Sequence, residues 1–237
     1  MREAGRVSAR ALRLVGEAVG VGVTTAELDD IAETAIRAEG GVPAFKGYHG
    51  FPKTLCTSIN FQVVHGIPSE MVKLREGDII SVDVGAIVDG YYGDNARTFS
   101  VGTISAEAGR LLAATKASLE AGIDQTRAGN HLFDIGAAVQ SVAETAGFSV
   151  VREYVGHGIG RSMHEDPNVP NYGIAGKGPK LEVGMVLAIE PMVNAGDAAV
   201  DALPDGWTVV TRDGMLSAHF EHTVAITPDG PLVLTVE

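Results

Sequence analysis

The stretch from Ser81 to Ser100, SVDVGAIVDGYYGDNARTFS, constrains this chain more than any other. Two apolar runs meet at Asp89-Gly90. An Asp-Gly pair in that position favours a type I′ turn, because that turn needs positive φ at both central residues. With Asp89-Gly90 as a two-residue loop, Val88 faces Tyr91 and Asp83 falls opposite Ala96. Side chains alternate faces along a strand, so Asp94 shares a face with Asp83. The two are diagonal neighbours, roughly 7–8 Å apart between backbones, within reach of one cation. Two carboxylates aimed at one point on a half-buried sheet repel unless positive charge lies between them. From the hairpin alone two readings stay open: a shared cation, or an aspartate that caps a turn or pairs with Arg97.

The rest of the chain bounds the setting. Its 237 residues are enough to bury roughly 70–75% of the unfolded surface. Neither a linker nor a low-complexity tract interrupts them, so residues 1–237 read as a single domain. A net charge of −12 argues against nucleic acid or an anionic membrane as the main partner. Cys56 is the only cysteine, which excludes an intramolecular disulfide and fits a reducing compartment. No apolar run has the length of a membrane span, and the charged first helix has no signal-peptide core. A cytoplasmic location is expected.

Helical periodicity places Val7, Ala11, Leu14, Val15 and Ala18 on one face of a first helix. Thr24-Thr25-Ala26-Glu27 is a capping box that opens a second. A Gly- and aromatic-rich loop, a strand TLCTSIN and a loop bearing His65 lead into the hairpin. Two more helices follow, Ser105–Ala121 and Asn130 or His131 to Ala146. Leu28-Asp29-Asp30-Ile31 and Leu132-Phe133-Asp134-Ile135 stand in the second helix of each pair. Two helices followed by strands, twice, suggest an internal duplication with a site between the halves. The second half adds a strand FSVVREYV, the loop GHGIGRSMHEDP and the strand MVLAIEP. Asp213-Gly214 reads as the turn of a further hairpin between Thr208–Arg212 and Leu216–Ile226.

Asp83, Asp94, His157, Glu190 and Glu221 thus stand at strand ends or in glycine-rich loops. Each has a plain alternative as a solvent-facing, ion-paired or hydrogen-bonded residue. Glu190 and Glu221 nonetheless lie in otherwise apolar strands, where a carboxylate needs paired charge or a metal.

Taken together, SVDVGAIVDGYYGDNARTFS, GHGIGRSMHEDP, AIEPMV and HFEHTV closely resemble the type I methionine aminopeptidases, over nearly the whole chain. The resemblance implies the α+β "pita-bread" fold, a curved antiparallel sheet with helices on its outer face and two pseudosymmetric halves. It implies a hydrolase that removes the initiator methionine from peptides and nascent chains bearing a small second residue. The attacking group would be a hydroxide between two divalent ions (Co, Mn, Fe or Zn). In that pattern Asp83 binds one metal, His157 and Glu190 the other, and Asp94 and Glu221 both. Glu190 also transfers protons, while His65 and His164 act on the substrate. Tyr48, His49, Phe51, Cys56, Met163 and Trp207, with Met192, are implied for the methionine pocket. Core packing is the competing reading, above all for Cys56 and Met192.

Phe45 stands where bacterial members often have cysteine, and Met163 where an aromatic is common. Both departures concern the pocket's shape. Asn60 and Ser217 match positions at a monovalent cation, whereas His131, His219 and His222 read as structural. A monomer working near the ribosome is expected. The rivals are a proline-directed peptidase of the same fold, which usually has an extra N-terminal domain, and a non-catalytic peptide-binding relative, which would lack some of the ligands.

Overall fold

In a computed structural model, which describes residues 1–237, the Asp89-Gly90 turn has φ of 51° and 75°. It joins Ile79–Val88 to Tyr91–Ser100 through an unbroken ladder from Val88↔Tyr91 to Ile79↔Ser100. Asp83 faces Ala96, the register that the sequence implies.

This hairpin lies within a nine-stranded sheet, antiparallel throughout. Its strands are β1 (Val42–Pro43), β2 (Leu55–Ile59), β3 (Ile79–Val88), β4 (Tyr91–Ser100), β5 (Gly156–Gly158), β6 (Glu165–Val169), β7 (Val186–Ile189), β8 (Glu221–Thr227) and β9 (Gly230–Val233). They run in the order β1-β3-β4-β8-β7-β5-β6, with β2 beside β1 on the outer edge of β3 and β9 on β8. Two small three-stranded sheets complete the β-structure.

Four helices pack on one face of the large sheet: α1 (Arg2–Ala18), α2 (Thr25–Ala38), α3 (Ala106–Gln125) and α4 (Leu132–Thr145). Period two decides which strand residues meet them. Ile80, Val82, Val84 and Ala86 of β3 pack against Val7, Val15, Leu28 and Ile36 of α1 and α2. Leu187 and Ile189 of β7, with Val224 and Ile226 of β8, pack against Leu119, Leu132 and Ile135 of α3 and α4. The intervening residues, Asp83 in β3 and Glu221 in β8, face the other way. Each fully buried Leu or Ile in these layers contributes roughly 1.5–3 kcal/mol through removal from water.

The two helix pairs start alike. Thr24 caps α2, with Glu27 accepting from the Thr24 N–H at 2.7 Å. At α4 the carboxylate of Asp134 accepts from the His131 N–H, also at 2.7 Å. Isolated bridges tie Thr24 to Lys73 and His131 to Lys180. These pairs equate Glu27 with Asp134 and hence Leu28 with Ile135. The two Leu-x-Asp-Ile segments are therefore three residues out of register, and the duplication is carried by the caps instead.

A second expectation changes as well. Val209–Thr211 and Ser217–His219 enter different small sheets, so Asp213-Gly214 turns the chain without forming a hairpin. The Asp213 carboxylate accepts from the N–H groups of Asp197 and Met215. That holds the turn and does not pair its flanks. Val200–Ala202 instead pairs with Val209–Thr211, around a turn in which Asp205 accepts from the N–H of Trp207 and of Thr208 at 2.9 Å. The FSVVREYV strand is confined to Ser149–Val150.

Candidate metal centre

One transverse row of the large sheet builds much of the site. Cys56 pairs with Asp83, Asp83 with Ala96, and Ala96 with Glu221. Residues directly opposite share a face, so both carboxylates point the same way with only the Ala96 methyl between them. Asp94 lies two residues farther along β4 on that face. The Thr223 hydroxyl clamps it there, accepting from the Asp94 N–H at 3.0 Å and donating to the Asp94 carbonyl at 2.8 Å.

His157 enters from β5 beside Ala188. Its flanking glycines are a packing requirement. A Cβ on Gly156 would lie 2.3 Å from the Ala188 carbonyl oxygen, and one on Gly158 2.3 Å from that of Asp166. His157 Nδ1 is 2.9 Å from the Gly158 carbonyl oxygen. A carbonyl only accepts, so Nδ1 has the proton and Nε2 a lone pair. That lone pair lies 3.5 Å from Glu190 Oε1. Glu190 follows β7 directly, its carbonyl held by the Asn171 side-chain amide at 3.1 Å.

The donors converge without partners. Ligand atoms of Asp94, His157 and Glu221 all lie within 4.8 Å of one another. Asp83 Oδ1, Asp94 Oδ1 and Glu221 Oε1 are buried and accept no hydrogen bond. Burial pushes the Asp83 carboxyl up to about 7. The same cause, aided by the neighbouring carboxylates, drives Asp94, Glu190 and Glu221 well above the usual carboxylate range. Burial, with His164 nearby, pushes His157 down to about 4 and keeps it neutral. Orphaned oxygens and a lone pair facing a carboxylate are costly unless a cation lies among them. Oxygen donors with one imidazole nitrogen fit a divalent metal.

The opposite wall of the same cavity, of about 380 Å³, is apolar: Phe45, Phe51, Met163 and Trp207, with Tyr48, His49, His65 and His164 also lining it, while Cys56 borders it from beside Asp83. Phe51 and Trp207 meet edge to face at 5.0 Å. Phe45 and Met163 close over Gly85, where a Cβ would come within 2.8 Å of the Phe45 ring and 3.3 Å of the Met163 methyl. Burial, and then the neighbouring carboxylates, Asp83 foremost, raise the Cys56 thiol well above its usual range, so it stays protonated.

Every residue that the sequence assigns to metal, catalysis or substrate in the hairpin, GHGIG, AIEP and HFEHT motifs therefore borders one cavity. Met192 does not. It packs in the core with Val63, Val64 and Val151.

His222, as expected, is off the site, with its Nδ1 2.8 Å from the Thr235 hydroxyl. The Asn60 carbonyl accepts from the Ser217 N–H at 2.8 Å, so the two residues named for a monovalent cation are in contact.

His219 is the residue that sequence reasoning undervalued. Its buried Nε2 has no hydrogen-bond partner and lies 3.7 Å from Glu190 Oε2. Burial lowers its pKa to about 3, so it is a neutral neighbour of the carboxylate. Its place on the Glu221 face of the strand was the available signal.

The model of metallopeptidase family M24 matches residues 1–228. The chain belongs to family M24. This M24 chain is 55% identical to a methionine aminopeptidase of Clostridium acetobutylicum, over all of its own length and 94% of that protein. It superposes on the crystal structure of a methionine aminopeptidase from Thermotoga maritima with a TM-score of 0.99 and 45% identity, covering 100% of one chain and 95% of the other. For the enzyme from Rickettsia prowazekii the TM-score is 0.97 at 45% identity, covering 99% and 95%. The fold is the pita-bread fold, and the chain is a hydrolase of the metallopeptidase class. No helix in it is long and apolar enough to cross a membrane.

Proposed function

We propose that residues 1–237 form one catalytic unit that removes the N-terminal methionine from peptides and nascent chains, with preference for a small second residue. The supporting observation is a cavity with two unlike walls. Orphaned buried carboxylates and His157 make one wall, and a thioether- and aromatic-rich surface makes the other.

In this reading Asp83 would hold one divalent ion, His157 and Glu190 would hold a second, and Asp94 and Glu221 would serve both. Manganese, iron, cobalt and zinc suit these donors alike. When bound, the ions supply Lewis acidity toward water, the scissile carbonyl and the free α-amine. The protein's own groups do the rest. Glu190 accepts a proton from the attacking water and returns it to the departing amine. His164 donates to the carbonyl oxygen as negative charge develops there. His65, held neutral by burial, with His164 adding to the shift, and with a pKa of about 4, orients the substrate beside the departing amine. Phe51, Cys56, Met163 and Trp207 exclude water and seat the methionine side chain, since soft, polarisable surfaces suit a thioether.

The test uses Met-Ala-Ser, Leu-Ala-Ser and Ala-Pro-Ala peptides with metal-stripped protein, before and after addition of Mn²⁺. Methionine release that needs the metal, with the other peptides untouched, is expected. Cleavage of Ala-Pro-Ala would move the chain to the proline-directed branch. Inactivity on all three with metal bound would overturn the enzyme reading.

A further inference from the structure

A side-chain hydrogen-bond contact joins the two halves at the cavity. The Tyr48 hydroxyl lies 2.7 Å from His164 Nδ1, and the His164 ring stands 4.3 Å from that of His157. The loop that presents Tyr48 has a tightly specified backbone. Gly47, His49 and Gly50 have φ of 90°, 48° and 89°. The Gly47 N–H donates to the Phe51 carbonyl at 2.8 Å, and the Phe51 N–H to the Tyr48 carbonyl at 2.9 Å. Left-handed backbone at a non-glycine residue is costly and persists only where the surroundings enforce it.

We propose that Tyr48 is a positioning residue that fixes the tautomer and the ring orientation of His164. A phenol is a far stronger proton donor than a neutral imidazole N–H, so the Tyr48 O–H donates into Nδ1. The imidazole proton then belongs to Nε2, the one ring nitrogen left to face a substrate. That is the atom that must donate to a carbonyl oxygen as it gains charge. The inference deepens the reading of His164 given above and rests on it.

Tyr48→Phe removes the hydroxyl but keeps the ring that lines the cavity. Two measurements are needed. In metal-free protein at pH 8, ¹⁵N–¹H correlation of the imidazoles, assigned with His164→Asn, reports the tautomer of His164 directly. Wild type should have the proton on Nε2, and Tyr48→Phe should show a mixture. With Mn²⁺ and Met-Ala-Ser, the variant should lose about tenfold in kcat, the worth of one hydrogen bond, at unchanged KM. An Nδ1–H tautomer in wild type would overturn the proposal. So would a variant that keeps both its tautomer and its kcat, or one that changes only KM. If wild type did not cleave the peptide at all, the function assigned to the site would fall, while the tautomer measurement would still decide the contact.

Discussion

The two walls of the cavity are made in different ways. The charged wall is set by backbone pairing. Asp83 and Glu221 occupy one row across the sheet, with Asp94 clamped by Thr223. The apolar wall is set by side-chain packing among residues from loops and strands of both halves, with Phe51 on Trp207 and Phe45 in one cluster with Met163. The charged wall is under electrostatic tension that a cation relieves, and the apolar wall is under none. Changes to the first should therefore act on metal binding and turnover. Changes to the second should act on which side chain is accepted.

Asp94→Asn should have the largest effect. Turnover of Met-Ala-Ser should fall by roughly three orders of magnitude, with at least one metal lost per chain by elemental analysis. The same change should raise the melting temperature of the metal-free protein, because an amide stays neutral without the proton that a buried carboxyl among other carboxyls must hold. A variant that lost activity and also melted lower without metal would erase the distinction between the walls.

The pH dependence of metal-free stability follows from the same tension. The Asp83 carboxyl titrates at about 7 in the fold against about 3.9 when unfolded. Its folded pKa is the higher, so the folded state binds more protons between these values and stability falls as pH rises through that window. Asp94, Glu190 and Glu221 are shifted in the same direction. Urea unfolding of the metal-free protein should show lower stability at pH 7 than at pH 5, and saturating Mn²⁺ should cancel or reverse that slope. Higher metal-free stability at pH 7 would show that the carboxylates are already compensated by the protein.

On the apolar wall, Trp207→Ala should reduce kcat/KM for Met-Ala-Ser by about 10- to 100-fold, mostly through KM, while Mn²⁺ affinity stays as in wild type. A change confined to kcat would instead place Trp207 with the charged wall. His219→Phe should be the mildest. By removing a polar neighbour of Glu190 it should weaken Mn²⁺ binding about tenfold and leave discrimination between Met and Leu peptides intact.

These two modes of construction also explain how much could be read from the sequence. Asp89-Gly90 fixes a register, and a register fixes which side chains share a face, so Asp83 and Asp94 were legible from residues alone. Glu190 and Glu221 stood out because a carboxylate in an apolar strand demands a partner. The same dipeptide misled at Asp213-Gly214, since turn chemistry bends a chain without choosing the partners of its flanking strands. His219 was underrated because its meaning depends on Glu190, which belongs to a different part of the chain. Met163 and Met192 are equivalent as sequence, yet one lines the cavity and the other fills the core. The resemblance to aminopeptidases, not periodicity, named the apolar wall.

The account is tested most directly by calorimetric titration of the metal-stripped wild-type protein with Mn²⁺, beside Asp94→Asn. Two bound ions per wild-type chain, with proton release as the raised carboxyls ionise and at least one ion lost in the variant, are the predicted result. Wild-type protein that binds no Mn²⁺, or a variant that binds it as wild type does, would contradict the claim that these orphaned carboxylates form a metal centre.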